Sequence, residues 1–349
     1  MTVERRLKKR ELNYVDLSKL GEFGLIQRFR RSTRSQGPGL QLGIGDDAAL
    51  TSLPSPQIVT CDLLLEGVHF QRRWHPLRLL GRKALSVNLS DIAAMGGIPR
   101  FALLGLGLPK NMSVTEADAL RQGFLEVARE NQVELIGGDT CASDRVVLAV
   151  TVLGQTGRHP CVRRSGARPG DAIFVTGTLG DAAWGLELLR RSRRAGVRHP
   201  AVRRLLDPAP RVKLGQKLAA FASAMIDLSD GLLTDLGHVL EESRGLAARI
   251  EVAALPLSKT FRRYFRIKGA PSGKALALAA AGGEDYELLF TAAPQAQAKL
   301  ARLAAAFGIP ITRIGGMVAA ARPSLRLVGP GGELVPLPQA RFEHFRKAR

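Results

Sequence analysis

Asp46 and Asp47 stand side by side in LGIGDDAAL (Leu42–Leu50), a glycine-rich, apolar stretch with no Lys or Arg in it. The setting recurs along the chain. Asp62 lies in VTCDLLL, Asp91 in NLSDIAAMGG, Asp139 in LIGGDT, Asp227 and Asp230 in MIDLSDGL, and Glu284 and Asp285 in GGEDYELLF. Carboxylates are costly in apolar surroundings unless they are exposed, capping, paired or bound to cations. Taken singly, Asp230 could cap the helix that follows it, and Asp47 could cap a turn. Taken together, hard oxygen donors without neighbouring bases suit magnesium. That ion takes one or two carboxylates and completes its shell with water and phosphate oxygens. Several such sites suggest several ions holding a polyphosphate.

Other phosphate-binding devices are absent or weak. No G-x-x-x-x-G-K-[ST] loop is present, which argues against a P-loop ATPase. Gly43, Gly45 and Ala48 match G-x-G-x-x-A, but Asp46 and Asp47 would aim negative charge at the pyrophosphate such a loop attracts. A metal ion between the carboxylates and the phosphate removes that objection.

The elements that must position these residues alternate. Strands are expected over QIVTCDLLL (57–65, with the apolar character of a buried strand), FALLGLGLP (101–109), RVVLAVTVLGQT (145–156) and AIFVTG (172–177). VELIGGDT (133–140) reads as a strand ending in a turn. Helices are expected over 77–97, stopped by Gly96–Gly97, over 113–131 and over 180–192. Ser113 and Glu116 have capping-box spacing, followed by Leu120, Phe124 and Ala128 on one face. Residues 224–243 read as strand, turn and helix, and 275–292 as helix, Gly-Gly turn and strand. Residues 193–212, with Pro200, Pro208 and Pro210, read as a basic loop. This alternation argues α/β or α+β. The Gly/Pro/Arg passage 157–171 marks a domain boundary. Three segments are therefore expected: a basic extension over 1–20, a domain over 21–156 and a second domain over 157–349.

The chain has 349 residues, long for one core and natural for two. Lys and Arg number 51 against 31 Asp and Glu, a formal net charge of +20. The basic blocks RRLKKR (5–10) and RRSRRAGVRHPAVRR (190–204) lack interleaved aromatics, and no nucleic-acid motif accompanies them, so they read as solvated surface. Cys61, Cys141 and Cys161 are odd in number and form no C-x-x-C pair, which fits a reducing cytoplasm. The basic N-terminus has no apolar segment behind it, and no run of 18 apolar residues occurs, so neither a secretory signal nor a membrane span is expected.

In order, IGDDAA, GVHF, NLSDIAAMGG, GGDT, DLSDGL and GGEDYEL resemble the motif set of the thiamine-monophosphate kinases, within the aminoimidazole ribonucleotide synthetase superfamily. The resemblance runs from GEFGLIQRF (21–29) to RFEHF (341–345). It implies transfer of the ATP γ-phosphoryl group to thiamine monophosphate, with several Mg²⁺ ions. It also implies a mixed-sheet N-terminal α/β domain that pairs in a homodimer, followed by a C-terminal α/β domain. By motif, magnesium ligands fall on Asp47, Thr60, Asp62, Asp91, Asp139, Asp227 and Asp230. Cys61 stands where the family usually has a hydroxyl side chain, and serves equally well there if only a backbone oxygen is used. ATP contacts fall on Gly138, Asp139, Arg164 and Ser229, and substrate contacts on His69, Glu284 and Phe342.

The chemistry agrees with this. A phosphate monoester with a second pKa near 6 is mostly a dianion at pH 7 and needs no general base. The six His residues show no base–orienter arrangement, so His69 reads as a binding residue. Two alternatives remain: another ATP-using enzyme of the superfamily such as aminoimidazole ribonucleotide synthetase, and a basic nucleic-acid-binding protein.

Overall fold

The structure is a computed structural model that describes residues 25, 28–33, 39–42, 50–52, 57–191 and 196–338. The extension 1–20, Asp46, Asp47 and Phe342 lie outside the described residues. The chain divides into two compact units. The first runs to Ile92 and resumes over Ile98–Gln155, while the second takes Ala93–Gly97 and the chain from Thr156.

The first unit is built on a mixed four-stranded sheet of β3 (Gln57–Leu65), β4 (Ile98–Leu108), β5 (Glu134–Ala142) and β6 (Val147–Gln155), in the order β3-β6-β4-β5. A short pair, β1 (Leu40–Leu42) with β2 (Leu50–Thr51), forms a separate sheet. Strands β4 and β5 are parallel and are joined through α2 (Val114–Glu130); the other pairings are antiparallel. The capping box forms: Glu116 N donates to Ser113 Oγ at 3.2 Å, and Ser113 N donates to Glu116 Oε2 at 2.8 Å. Leu120, Phe124 and Ala128 are buried on the inner face of α2. The preceding helix α1 (Leu77–Ala94) ends ahead of Gly96, whose φ of +68° suits the stop expected there. Helices α1 and α2 meet at two glycines. A Cβ at Gly81 would fall 1.9 Å from the Leu120 carbonyl oxygen, and one at Gly123 would fall 1.8 Å from that of Arg78.

Two expectations change here. Strand β3 is not buried on both faces. It lies at the sheet edge and alternates: Ile58 and Leu64 are buried, whereas Val59 and Leu63 are 62% and 52% exposed. Strand β5 does not end in a turn at Gly137–Gly138. Parallel pairing with β4 carries it through to Ala142, with Gly138 opposite Leu104 and Asp139 opposite Gly105.

The second unit is a seven-stranded mixed sheet of β7 (Ala172–Thr176), β8 (Ala222–Asp227), β9 (Leu246–Glu251), β10 (Leu288–Ala292), β11 (Ile311–Ala319), β12 (Ser324–Val328) and β13 (Leu334–Val335), in the order β13-β12-β9-β11-β7-β10-β8. Its helices include α3 (Asp181–Arg191), α4 (Pro200–Leu206), α5 (Val212–Leu218) and α6 (Leu232–Ser243). Ile173, Val175, Ile226, Leu236 and Leu289 lie in one core with Trp184 and Phe261. The expected basic loop over 193–212 instead contains α4 and the start of α5. Pro200 sits in the first turn of α4, where its missing N–H costs nothing, and His199 Nδ1 accepts Ala201 N at 3.2 Å. Strand β10 runs antiparallel to both β7 and β8, with Leu289 opposite Val175 and Ile226. Thr176, Leu288 and Asp227 therefore lie in one row at the same end of these three strands. Among the described residues no helix is long and apolar enough to cross a membrane.

Candidate functional site

In the first unit, strand alternation turns Thr60 and Asp62 toward α1. Thr60 Oγ1 donates to Asp91 Oδ2 at 2.6 Å, and Asp62 N donates to Asn88 Oδ1 at 3.0 Å. Asn88 and Asp91 are three apart and so share a face of α1. The buried amide of Asn88 also donates to Ala84 O at 3.1 Å. Thr60, Asp62 and Asp91 are thus brought together. Cys61 projects from the opposite face of β3 and is exposed, so its side chain stays apart from theirs. Asp139 is exposed on β5, three strand spacings or about 14 Å from β3. Its Oδ1 accepts Thr140 N at 2.8 Å. At Gly138 a Cβ would lie 1.9 Å from the Leu104 carbonyl oxygen, so close strand approach requires glycine there.

His69 closes the turn after β3. Its Nδ1 accepts Leu65 N at 3.0 Å, which leaves Nε2 as the N–H of the neutral ring. The Nδ1 lone pair being occupied, the imidazole is placed to donate rather than to act as a base through that atom.

In the second unit, Asp227 ends β8 and is buried. Asp230 does not cap α6. The cap is made from within the helix: Asp235 Oδ2 accepts Gly231 N at 3.0 Å and Asp230 N at 3.2 Å. Burial, with Asp227 and Asp230 close by, pushes the Asp235 carboxyl up to about 8. Sequence reasoning missed Asp235; its place in the first turn of α6 was the available signal.

The DLSDG turn is tied to the GGEDYE turn by main-chain bonds. Glu284 N donates to Ser229 O at 2.7 Å, Tyr286 N to Leu228 O at 2.8 Å, and Leu228 N to Glu287 O at 2.8 Å. Glu284 and Tyr286 have φ of +73° and +48°. Two left-handed non-glycine residues so close together are a strained arrangement of the kind that marks functional turns. Arg164 is not gathered here. It is exposed, and its carbonyl accepts Ser243 Oγ at the far end of α6, about 18 Å along a 12-residue helix.

Behind the turn, Asp285 is fully buried and receives Gly180 N at 2.9 and 3.2 Å. Burial, reinforced by Asp181 and Glu287, pushes it up to about 8. Burial acts on Glu287 in the same direction, but Arg211, Arg204 and Thr176 outweigh it and hold that carboxyl low. Among the described residues no group of three or more His, Cys, Asp or Glu side chains is arranged to hold a metal ion.

The AIR synthase related protein N-terminal domain matches residues 45–156, and the AIR synthase related protein C-terminal domain matches residues 168–328. The chain is 41% identical over 307 residues to the thiamine-monophosphate kinase of Salmonella typhimurium, covering 86% of this chain and 91% of that one. With the enzyme of that name from Bacillus subtilis it shares 37% identity over 304 residues, covering 85% and 91%. Among solved structures, thiamine-monophosphate kinase from Stenotrophomonas maltophilia K279a superposes with a TM-score of 0.77 at 40% identity, covering 87% of this chain and 96% of that one. AaThiL complexed with AMPPCP and TMP superposes with a TM-score of 0.70 at 31% identity, covering 95% and 99%.

Proposed function

The chain belongs to the thiamine-monophosphate kinase family, built from the two AIR synthase related domains, and we propose that it performs that family's reaction in the cytoplasm as a magnesium-dependent homodimer. It transfers the γ-phosphoryl group of ATP to thiamine monophosphate, giving thiamine diphosphate and ADP. The observation that carries this reading is likeness across most of the chain to enzymes acting on that substrate, together with a solved relative complexed with AMPPCP and TMP.

The residues fit magnesium in kind. Thr60, Asp62 and Asp91 in the first unit, and Asp227 and Asp230 in the second, are hard oxygen donors. Burial first, and the nearby Asp227 and Asp230 second, push the Asp235 carboxyl up at this turn, and a dication beside those two carboxylates would relieve the part due to their charge. Asp47 and Asp139 are assigned to the same role by motif, and Cys61 to a backbone oxygen only. Magnesium, when bound, supplies neutralisation of the phosphoryl oxygens during in-line transfer.

The protein's own groups bind and orient. Gly138, Asp139, Ser229 and Arg164 are assigned to ATP, with Arg164 the only cationic side chain in that set. His69 donates through Nε2 to the substrate, and Glu284 and Phe342 contact it. No side chain removes a proton, because the acceptor phosphate is already ionised. Exposed Val59 and Leu63 on an edge strand support pairing of two copies through the first unit. Three free cysteines support a reducing compartment.

The test is direct. Purified protein given ATP, Mg²⁺ and thiamine monophosphate forms thiamine diphosphate with one ADP per product. Turnover of formylglycinamidine ribonucleotide in its place moves the chain to aminoimidazole ribonucleotide synthetase, and salt-sensitive DNA retention without ATP turnover moves it to nucleic-acid binding.

A further inference from the structure

Glu287 takes no part in the transfer described above, yet four hydrogen bonds converge on its carboxylate. Arg204 Nη2 donates at 2.5 Å, Arg211 Nε at 2.6 Å and Thr176 Oγ1 at 2.7 Å, and Arg211 Nη2 adds the fourth. The carboxylate is completely buried, while the Arg204 and Arg211 side chains keep 25% and 13% exposure. A Cβ on Gly177 would lie 2.0 Å from Glu287 Oε1, so the preceding turn leaves room for it. An apolar side chain of similar volume would fill this space without taking charges out of water, so stability alone does not account for the cluster.

Its position suggests what it does. The Glu287 carbonyl accepts Leu228 N, and the next amide, Leu288 N, donates to Thr176 Oγ1 at 2.9 Å. The main chain of Glu287 therefore ties the GGEDYE turn to the DLSDG turn, while its side chain anchors the same segment to Thr176, Arg204 and Arg211. Within that turn Glu284 and Tyr286 hold left-handed conformations, which persist only when surrounding bonds over-determine them.

We infer that Arg204 and Arg211 are positioning residues for thiamine monophosphate: acting through Glu287, they hold the strained turn that presents Glu284. This rests on the reaction proposed above and on Glu284 facing that substrate. Arg204 lies in α4 and Arg211 stands at the N-cap position of α5, and no assigned site residue comes from this segment.

The experiment compares wild type with Arg211→Met, Arg211→Lys and Arg204→Met, varying each substrate separately. Arg211→Met raises KM for thiamine monophosphate at least tenfold and changes KM for ATP less than twofold. Arg211→Lys, which keeps the charge but not the fork, recovers part of that loss. Adding Glu287→Gln to Arg211→Met makes KM no worse than the more damaging single change, because the residues act as one chain. Should Arg211→Met fail to fold, Arg204→Met leaves the Arg211 bonds in place and is read the same way, with a rise of at least threefold. A soluble variant that melts lower but keeps both KM values overturns the inference alone. So does an equal rise in both KM values. A wild type that leaves thiamine monophosphate untouched overturns the reaction and the inference together.

Discussion

Replacing Asp285 with Asn should make the protein more stable at alkaline pH than wild type, by an amount that grows with pH. The carboxyl ionises near 3.8 when unfolded and keeps its proton to about 8 in the fold, because it is fully buried beside Asp181 and Glu287. Arg204 and the Gly180 amide pull the other way and do not win. Between those two values the folded state binds one proton more than the unfolded state, so stability falls as pH rises, by about 1.4 kcal/mol per unit. Over a window of about four units the ceiling is about 5 kcal/mol at pH 8. Asn keeps an oxygen for Gly180 N and has no such titration. The expected difference in stability, variant minus wild type, is smallest at pH 4.5, near the unfolded value. It grows by at least about 2 kcal/mol between pH 4.5 and pH 8.5, roughly 4 °C or more in melting temperature. Thermal scans in EDTA across that range measure it. A difference that stays flat with pH would show that Asp285 is ionised throughout and that Arg204 outweighs burial.

Three further outcomes are expected. Asp62→Asn should lower activity at least about a hundredfold, roughly 2.7 kcal/mol of barrier, and lose most of the melting shift that Mg²⁺–ATP gives wild type; a full shift retained would remove Asp62 from the metal site. Ser113→Ala should cost about 1 kcal/mol of stability by removing half of the capping box, with KM values unchanged, and denaturant melts would expose an error in either direction. Gly81→Ala gains about 1 kcal/mol of helix propensity but forces α1 off the Leu120 carbonyl, so a net loss of at least about 1 kcal/mol is expected; a more stable variant would mean that the helices separate freely.

What the sequence disclosed follows the range of the interactions involved. Ser113 and Glu116 are three residues apart, and their reciprocal bonds follow from spacing alone. The stop at Gly96 is equally local. Pairs distant in the chain were not legible. Arg211 and Glu287 are 76 residues apart, and nothing in PAPRVKLG marks that arginine as the partner of a buried carboxylate. The prolines of 193–212 suggested a loop, but Pro200 sits where a helix tolerates proline, a distinction set by position rather than composition. The end of VELIGGDT suggested a turn, but pairing with β4 carries the strand on to Ala142. Capping was the alternative to a metal role for Asp230, and Asp235 makes that cap instead, because a carboxylate inside the first turn reaches the amides there. The breaks at DLSDG and GGEDYE form where the sequence placed turns, whereas the network that shapes them was not legible.

The alternation of β3 bears on how this protein tolerates change. A saturation library over residues 57–65 should split by parity. Even-numbered positions, which carry Thr60 and Asp62 toward α1, would be selected through turnover. Odd-numbered positions carry Val59, Cys61 and Leu63 to the open face; under the homodimer proposed above they would be selected through self-association, and polar replacements there would be recovered as active but dilution-sensitive enzyme. A one-residue insertion before Gln57 would exchange the two sets at a stroke. On that proposal one strand answers to two separate selective pressures, and a lineage could revise its assembly without disturbing its chemistry, one alternate residue at a time.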